Sequence, residues 1–187
     1  VLANNIKNSA VVFMYHKFNT AKYPSTNIGN EQFDSHLKEF TLEKYNITSL
    51  EYIVDTIIND GDLPDNTIGI SIDDADRSFL EYAWPKFKEN NIPVTLFVNT
   101  SVISNNNKNY LNWDQIRMLM NEGVEIGAHS HGHKHLPKLS AEEIKNEIEL
   151  SNKIFLIELG KIPNLFAYPY GETDVRIINL LKEYKYK

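Results

Sequence analysis

Short apolar runs alternate with longer amphipathic stretches along most of this 187-residue chain. The runs are Ala10 to Tyr15, Ile68 to Ile72, Val94 to Val98, Val124 to Ala128, and Leu165 to Tyr168. Their length and β-branched content predict buried strands. Between them, apolar positions recur at helical spacing. Glu31 to Tyr45 carries Phe33, Leu37 and Phe40, and Arg77 to Asn90 carries Phe79, Leu80, Ala83 and Phe87. Asn112 to Asn121 opens with Asn112 and Gln115 in capping-box positions. Ser140 to Leu159 opens likewise with Ser140 and Glu143, then sets Ile144, Ile148, Ser151 and Phe155 on one face. Asp174 to Tyr184 is a further helix. The alternation predicts α/β architecture with a largely parallel sheet, open or closed into a barrel. There is no internal repeat. Leu180 to Lys187 reads as a helix end with a strand just starting, so part of the fold is expected beyond Lys187. The chain 1–187 is read as one domain, truncated at its C-terminus.

In such folds, chemistry gathers at the carboxyl ends of the strands. Asp73 and Asp74 directly follow the run ending at Ile72, and His129 follows Ala128. Pro169 and Tyr170 follow Tyr168, His16 follows Tyr15, and Asn99 follows Val98. Segments far apart in sequence are thereby expected to converge on one mouth.

Four of the six histidines fall between His129 and His135. A spacing of four puts His129 and His133 on one side of a helical turn, about 6 Å apart along the axis. Imidazoles so placed can reach one ion at about 2.1 Å each. An acidic third ligand, with Asp74 the candidate, would leave an open position for water. His131 and His135 share the spacing, so spacing alone leaves the register open; only His129 comes straight off the strand. The competing view is an exposed His-rich loop with incidental metal affinity. Adjacent carboxylates at a strand end repel unless a cation offsets them. With one bound to metal, the other is free to serve as general base. Otherwise the acidic segment merely caps the helix near Arg77, a role expected of Asp76.

Composition narrows the field. A net charge of −6 does not favour nucleic acid or an anionic membrane as partner. No cysteine is present, which excludes disulfides, thiolate metal sites and cysteine nucleophiles. No stretch approaches the roughly 20 apolar residues of a transmembrane helix. The chain begins at Val1, so a processed or trimmed N-terminus is expected, and an export signal lost with it is compatible with the sequence.

Three segments resemble motifs of the polysaccharide deacetylases, the NodB homology domains of carbohydrate esterase family 4. Ser71-Ile72-Asp73-Asp74-Ala75-Asp76 is similar to the first motif, usually Thr-Phe-Asp-Asp-Gly. Gly127 to His133 is similar to the second, His-Ser/Thr-x-x-His. Phe166-Ala167-Tyr168-Pro169-Tyr170-Gly171 is similar to the third, usually Arg-x-Pro-Tyr. Leu111 to Gln115 and Met14-Tyr15-His16 also resemble family segments. The resemblance implies a distorted (β/α) barrel with fewer than eight strands. It implies Asp73 as catalytic base, and Asp74, His129 and His133 as ligands of one divalent metal ion, usually zinc. It also implies that Tyr170 binds the tetrahedral intermediate through its backbone N–H. The activity implied is removal of acetyl groups from N-acetylglucosamine units of a polysaccharide, in the periplasm, at the cell envelope or outside the cell.

Three departures stand out. Ala75 replaces the usual Gly. Ala167 replaces the Arg that normally pairs with the base, a form resembling the branch that acts on exported poly-N-acetylglucosamine. The later Asp-Trp and Leu-x-His motifs, the second of which usually supplies the general acid, are not found. His16 is the candidate acid by its strand-end position, against a reading as a structural histidine. Tyr170 is the one aromatic expected to stack on sugar. Competing functions are deacetylation of peptidoglycan or chitin, hydrolysis of another small amide, a catalytically impaired carbohydrate-binding homologue, and a metal-storage segment.

Overall fold

The computed structural model describes residues 8–20, 24–105 and 107–187. These fall into two compact units, one of Val1–Ile72 with Ser78–Thr95 and one of Asp73–Arg77 with Leu96–Lys187.

In the first unit, β5 (Thr67–Ile72) is buried at all six positions. Six buried positions in a row, with small Thr67 and Ser71 among the isoleucines, mark a strand covered on both faces. β1 (Ala10–Tyr15) pairs with it in parallel, Ala10 opposite Thr67 through Tyr15 opposite Ile72. The short β4 (Asn46–Ile47) pairs with the start of β5, also in parallel. A smaller parallel pair joins β2 (Lys17–Phe18) to β3 (Asn27–Ile28). Gly69 lets α2 (Leu50–Ile58) lie against the strand, because a Cβ there would come within 2.3 Å of Leu50 Cδ2. α1 (Asn30–Phe40) stops short of the expected Tyr45, ending where its buried stripe of Phe33, Leu37 and Phe40 ends. The helix expected over Arg77 to Asn90 forms over 77–89, with a π-turn at Phe79–Ala83 inside it that leads into α3 (Trp84–Glu89). Pro85, in the first turn of α3, has no N–H to donate to the turn before it. Asp76 directly precedes the helical run that begins at Arg77, and it forms an antiparallel bridge with Tyr110. Phe18, Phe33, Phe79 and Phe87 build the aromatic core, with Phe33 centred 4.9 Å from Phe18 and 5.2 Å from Phe87.

In the second unit, β6 (Thr95–Val98) from Leu96 onward and β7 (Glu125–Ala128) are linked at their carboxyl ends by His129 N–H donating to Val98 O at 3.0 Å. Gly127 is packed under the Phe97 ring, which a Cβ would meet at 2.3 Å. α4 (Thr100–Ser104) follows β6 at once. α5 (Trp113–Asn121) and α6 (Ala141–Leu159) each open with a complete capping box, at Asn112/Gln115 and Ser140/Glu143, as the sequence predicts. α6 ends on left-handed Gly160, and its buried face carries Ile144, Ile148 and Phe155, with Phe155 edge-on to Trp113 at 5.8 Å. The strand expected over Leu165 to Tyr168 is only a parallel bridge from Phe166 to Ala128, because a 3₁₀ turn at Pro169–Gly171 follows directly. Asp174 caps α7 (Val175–Glu183). Among the described residues no helix is long and apolar enough to cross a membrane.

Candidate metal centre

Asp73, Asp74, His129, His133 and Tyr170 all belong to the second unit. One carboxylate oxygen of Asp74 and one ring nitrogen each of His129 and His133 lie within 4.8 Å of one another. The two Nε2 atoms are 3.0 Å apart. Asp74 Oδ1 is 3.4 Å from His133 Nε2 and 3.8 Å from His129 Nε2. His129 is buried, and its Nδ1–H donates to the Ala167 carbonyl at 2.9 Å. A carbonyl can only accept, so the tautomer is set and His129 Nε2 keeps a bare lone pair toward the group.

The pair does not sit on a helical turn, as its spacing suggests. It closes through a loop in which Ser130 (φ 61°) and His133 (φ 51°) are left-handed, and His133 N–H donates to Ser130 Oγ at 3.1 Å. Asp74 (φ 70°), Ala75 (φ 55°) and Tyr170 (φ 61°) are left-handed too. Each such non-glycine residue is costly, and strain of this kind clusters where function constrains the backbone. His131 and His135 are engaged elsewhere, His131 Nδ1 with Thr100 Oγ1 at 2.8 Å and His135 Nδ1 with Glu172 Oε2 at 2.7 Å.

Asp73 is 5% exposed, and its Oδ1 has no hydrogen-bond partner. Burial first, and the neighbouring Asp74 charge second, push its carboxyl from the ordinary value to about 7. Alanine at 167 supplies no cation to oppose this. Asn99, noted in the sequence only as a strand-end residue, donates Nδ2–H to Asp74 Oδ1 at 3.3 Å. Tyr170 is 57% exposed; its ring meets His133 edge-on at 4.6 Å and stacks on His135 at 4.0 Å. Trp84 and Trp113 are core residues. His16 lies in the first unit, in the wall of a cavity of about 230 Å³ with Tyr15, Lys17 and Gln32, and is not one of the three converging donors.

The donor set fits a divalent cation. One carboxylate and two imidazoles converge, while Asp74 and His133 remain partly open to solvent. Two ring nitrogens facing each other beside a carboxylate make a poor hydrogen-bonded core and a good ligand pair. The arrangement can hold an ion with an open position next to a buried, unpartnered carboxyl.

Fold and site together define an α/β protein with an Asp-His-His centre at strand ends. The sequence profile described as polysaccharide deacetylase matches residues 60–187, and the chain belongs to that family. It is 32% identical over 118 residues to chitin deacetylase 1 of Cryptococcus neoformans var. grubii, a match covering 61% of this chain and 23% of that protein. It is 28% identical to a peptidoglycan-N-acetylglucosamine deacetylase of Bacillus cereus, over 56% of this chain and 36% of the relative. It is 23% identical to a poly-beta-1,6-N-acetyl-D-glucosamine N-deacetylase of Staphylococcus aureus (strain N315), over 88% of this chain and 66% of the relative. The chain thus spans less than two thirds of each of these relatives. Among solved structures, the fold is similar to a Streptococcus pyogenes deacetylase in complex with acetate, with TM-score 0.85, 20% identity, and coverage of 97% of this chain and 82% of that one. It is similar also to IcaB from Ammonifex degensii, with TM-score 0.81, 19% identity, and coverage of 95% and 81%. These likenesses bear out the α/β fold class.

Proposed function

We propose that this chain carries the catalytic centre of a metal-dependent hydrolase that removes acetyl groups from N-acetylglucosamine units of a polysaccharide. The observation behind this is the convergence of Asp74, His129 and His133 beside the buried Asp73 carboxyl. Those three residues would hold one divalent ion, zinc in our reading. When bound, the ion supplies Lewis acidity, acidifying a water and polarising the amide carbonyl.

The remaining chemistry belongs to the chain's own groups. Asp73, with a carboxyl brought near neutrality, accepts the proton of the attacking water. Water adds to the carbonyl carbon, the C–N bond breaks, acetate departs and the amine takes up a proton. Asn99 and the Ala167 carbonyl orient Asp74 and His129. The Tyr170 backbone N–H is assigned to the developing oxyanion, supported by its fixed left-handed conformation beside His133. The exposed Tyr170 face, stacked on His135, offers an apolar platform to a sugar ring.

Alanine at 167 and the extent of the match to the staphylococcal relative favour poly-β-1,6-N-acetylglucosamine as polymer. The site of action would then be the envelope or the exterior. The chitin and peptidoglycan relatives support the second reading, a deacetylase of those polymers. The test is acetate release from β-1,6- and β-1,4-linked N-acetylglucosamine oligomers, together with metal content, for Asp74→Ala and His129→Ala. Loss of both metal and activity is expected; metal content and rate like those of the parent protein would refute the assignment.

A further inference from the structure

Glu147 lies on the buried face of α6 and is 5% exposed, yet no step above uses it. It stands among Ile144, Ile148 and Phe155, where an aliphatic side chain would avoid the cost of burying a carboxylate. Its Oε2 accepts the backbone N–H of Gly132 at 2.6 Å, and its Oε1 faces Lys134 Nζ at 2.9 Å. Gly132 immediately precedes His133 in the left-handed loop. The fit is close: a Cβ on Gly132 would meet Glu147 Oε1 at 3.2 Å and Oε2 at 3.3 Å. Other bonds to this loop, from Thr100 N–H to Ser130 O at 3.3 Å, from Ser101 N–H to His131 O at 3.0 Å and from Ser151 Oγ–H to Ser130 O at 3.4 Å, reach no further than His131. The Glu147 bond acts beyond them, at the residue next to the ligand.

We infer that Glu147 is a positioning residue of the metal centre, clamping the His129–His133 loop through the Gly132 N–H and so setting the approach of the His133 imidazole. The inference rests on the metal-site reading above. A buried charge-assisted bond is stronger and more directional than a neutral one, which suits a clamp on a strained loop. Outer partners of metal ligands are worth about 10–100-fold in metal affinity. Lys134, whose side chain is 56% exposed, serves the Glu147 charge and not the loop directly.

The test uses the full chain and its affinity for Co²⁺, measured by chelator competition and followed by the visible absorption of the bound ion. Glu147→Ala should weaken binding about 10–100-fold and alter the absorption band. Glu147→Gln keeps an acceptor for the Gly132 N–H and should recover most of the loss. Lys134→Ala leaves that bond in place and should bind Co²⁺ more tightly than Glu147→Ala, because Lys134 Nζ meets the carboxylate and not the Gly132 N–H. Gly132→Ala should weaken binding in the parent protein but add nothing to Glu147→Ala, because the clash is with the carboxylate itself. Should Glu147→Ala fail to fold, the Gly132→Ala arm still decides. Co²⁺ binding by Glu147→Ala and Gly132→Ala, or by Gly132→Ala alone where the other does not fold, indistinguishable from the parent, with His129→Ala defective, overturns the positioning role and leaves the metal site standing. Parent-like binding by His129→Ala removes the site and the positioning role together.

Discussion

Asp73 is the residue on which environment acts most strongly. Its carboxyl is buried, lacks a partner at Oδ1 and neighbours a second carboxylate, and these together bring it to about 7. A general base works best when its pKa lies near the operating pH, and the loss on removing one is about 10²–10⁴-fold. Asp73→Asn should therefore lower kcat by that factor while metal content stays at one ion per chain; loss of the metal instead would make Asp73 a ligand. Its neighbour but one, Ala75, is fully buried and left-handed at φ 55°. Relief of the strain from a Cβ there, set against the extra backbone entropy of glycine, leaves about 0.5–1 kcal/mol in favour of Ala75→Gly. That substitution should raise the thermal midpoint by roughly 1–4 °C, and a lowered midpoint in calorimetry would show that the Cβ packs better than it strains. The left-handed turn after the aspartates also accounts for the glycine usual at this place in the family motif.

The elements that deliver these residues depend on close approach. β7 ends at Ala128 and hands His129 to the site, and Gly127 holds that strand end against Phe97. A methyl group at 127 would have to displace the ring. Gly127→Ala should cost about 1–3 kcal/mol of stability through overpacking and weaken metal binding as His129 shifts. Urea denaturation and metal titration of the variant check this, and an unchanged midpoint would mean that the Phe97 ring moves aside freely. Much at this scale was legible in the sequence. β5, β6 and β7 show as apolar runs and are buried, and the capping boxes of α5 and α6 show as Asn112/Gln115 and Ser140/Glu143, because strand burial and helix capping are local signals; β1 forms as a strand too, but the burial expected of it fails at Val11, Val12 and Met14, which are exposed. The convergence of His129 with His133 was anticipated, but the spacing pointed to a helical turn, whereas two left-handed residues close the loop. Dihedral choices at non-glycine residues leave no mark on hydrophobic periodicity. Asn99 and the Ala167 carbonyl were missed as partners of Asp74 and His129 for a related reason: a side-chain amide meeting a distant carboxylate, or a backbone oxygen meeting a ring nitrogen, depends on tertiary contact. Glu147 left a faint trace, a carboxylate at i+3 from Ile144 on the apolar stripe of α6.

For the whole molecule, ion binding and stability are one equilibrium. Any ligand held only by the folded chain stabilises it, by about 2.7 kcal/mol at a free concentration one hundred times its Kd. Chelator treatment should then lower the thermal midpoint by roughly 5–10 °C for a chain of this size, and readdition of Zn²⁺ should restore it. Without the ion, Asp73 gives the folded state a pH dependence of unusual sign. Its folded carboxyl titrates near 7, whereas in the unfolded chain it titrates at about 4. Below the lower value both states bind the proton and no difference arises. As pH rises through the window between the two, the unfolded chain ionises freely while the folded chain resists, so stability drains away and is lost once the folded value is passed. The upper bound is on the order of 4 kcal/mol. Other groups oppose this trend; the burial that holds His131 below its usual range makes the fold more stable as pH rises. Comparison of Asp73→Asn with its parent cancels them. In chelator, the variant's advantage over the parent should be smallest below about pH 4 and grow increasingly toward pH 8, measured by urea denaturation. With Zn²⁺ present the gap should narrow, because a cation on Asp74 favours the charged form of the carboxylate beside it. A gap independent of pH would mean that burial does not govern Asp73, whereas a gap that opens with pH and closes with metal would show the ion drawing its own base into working form.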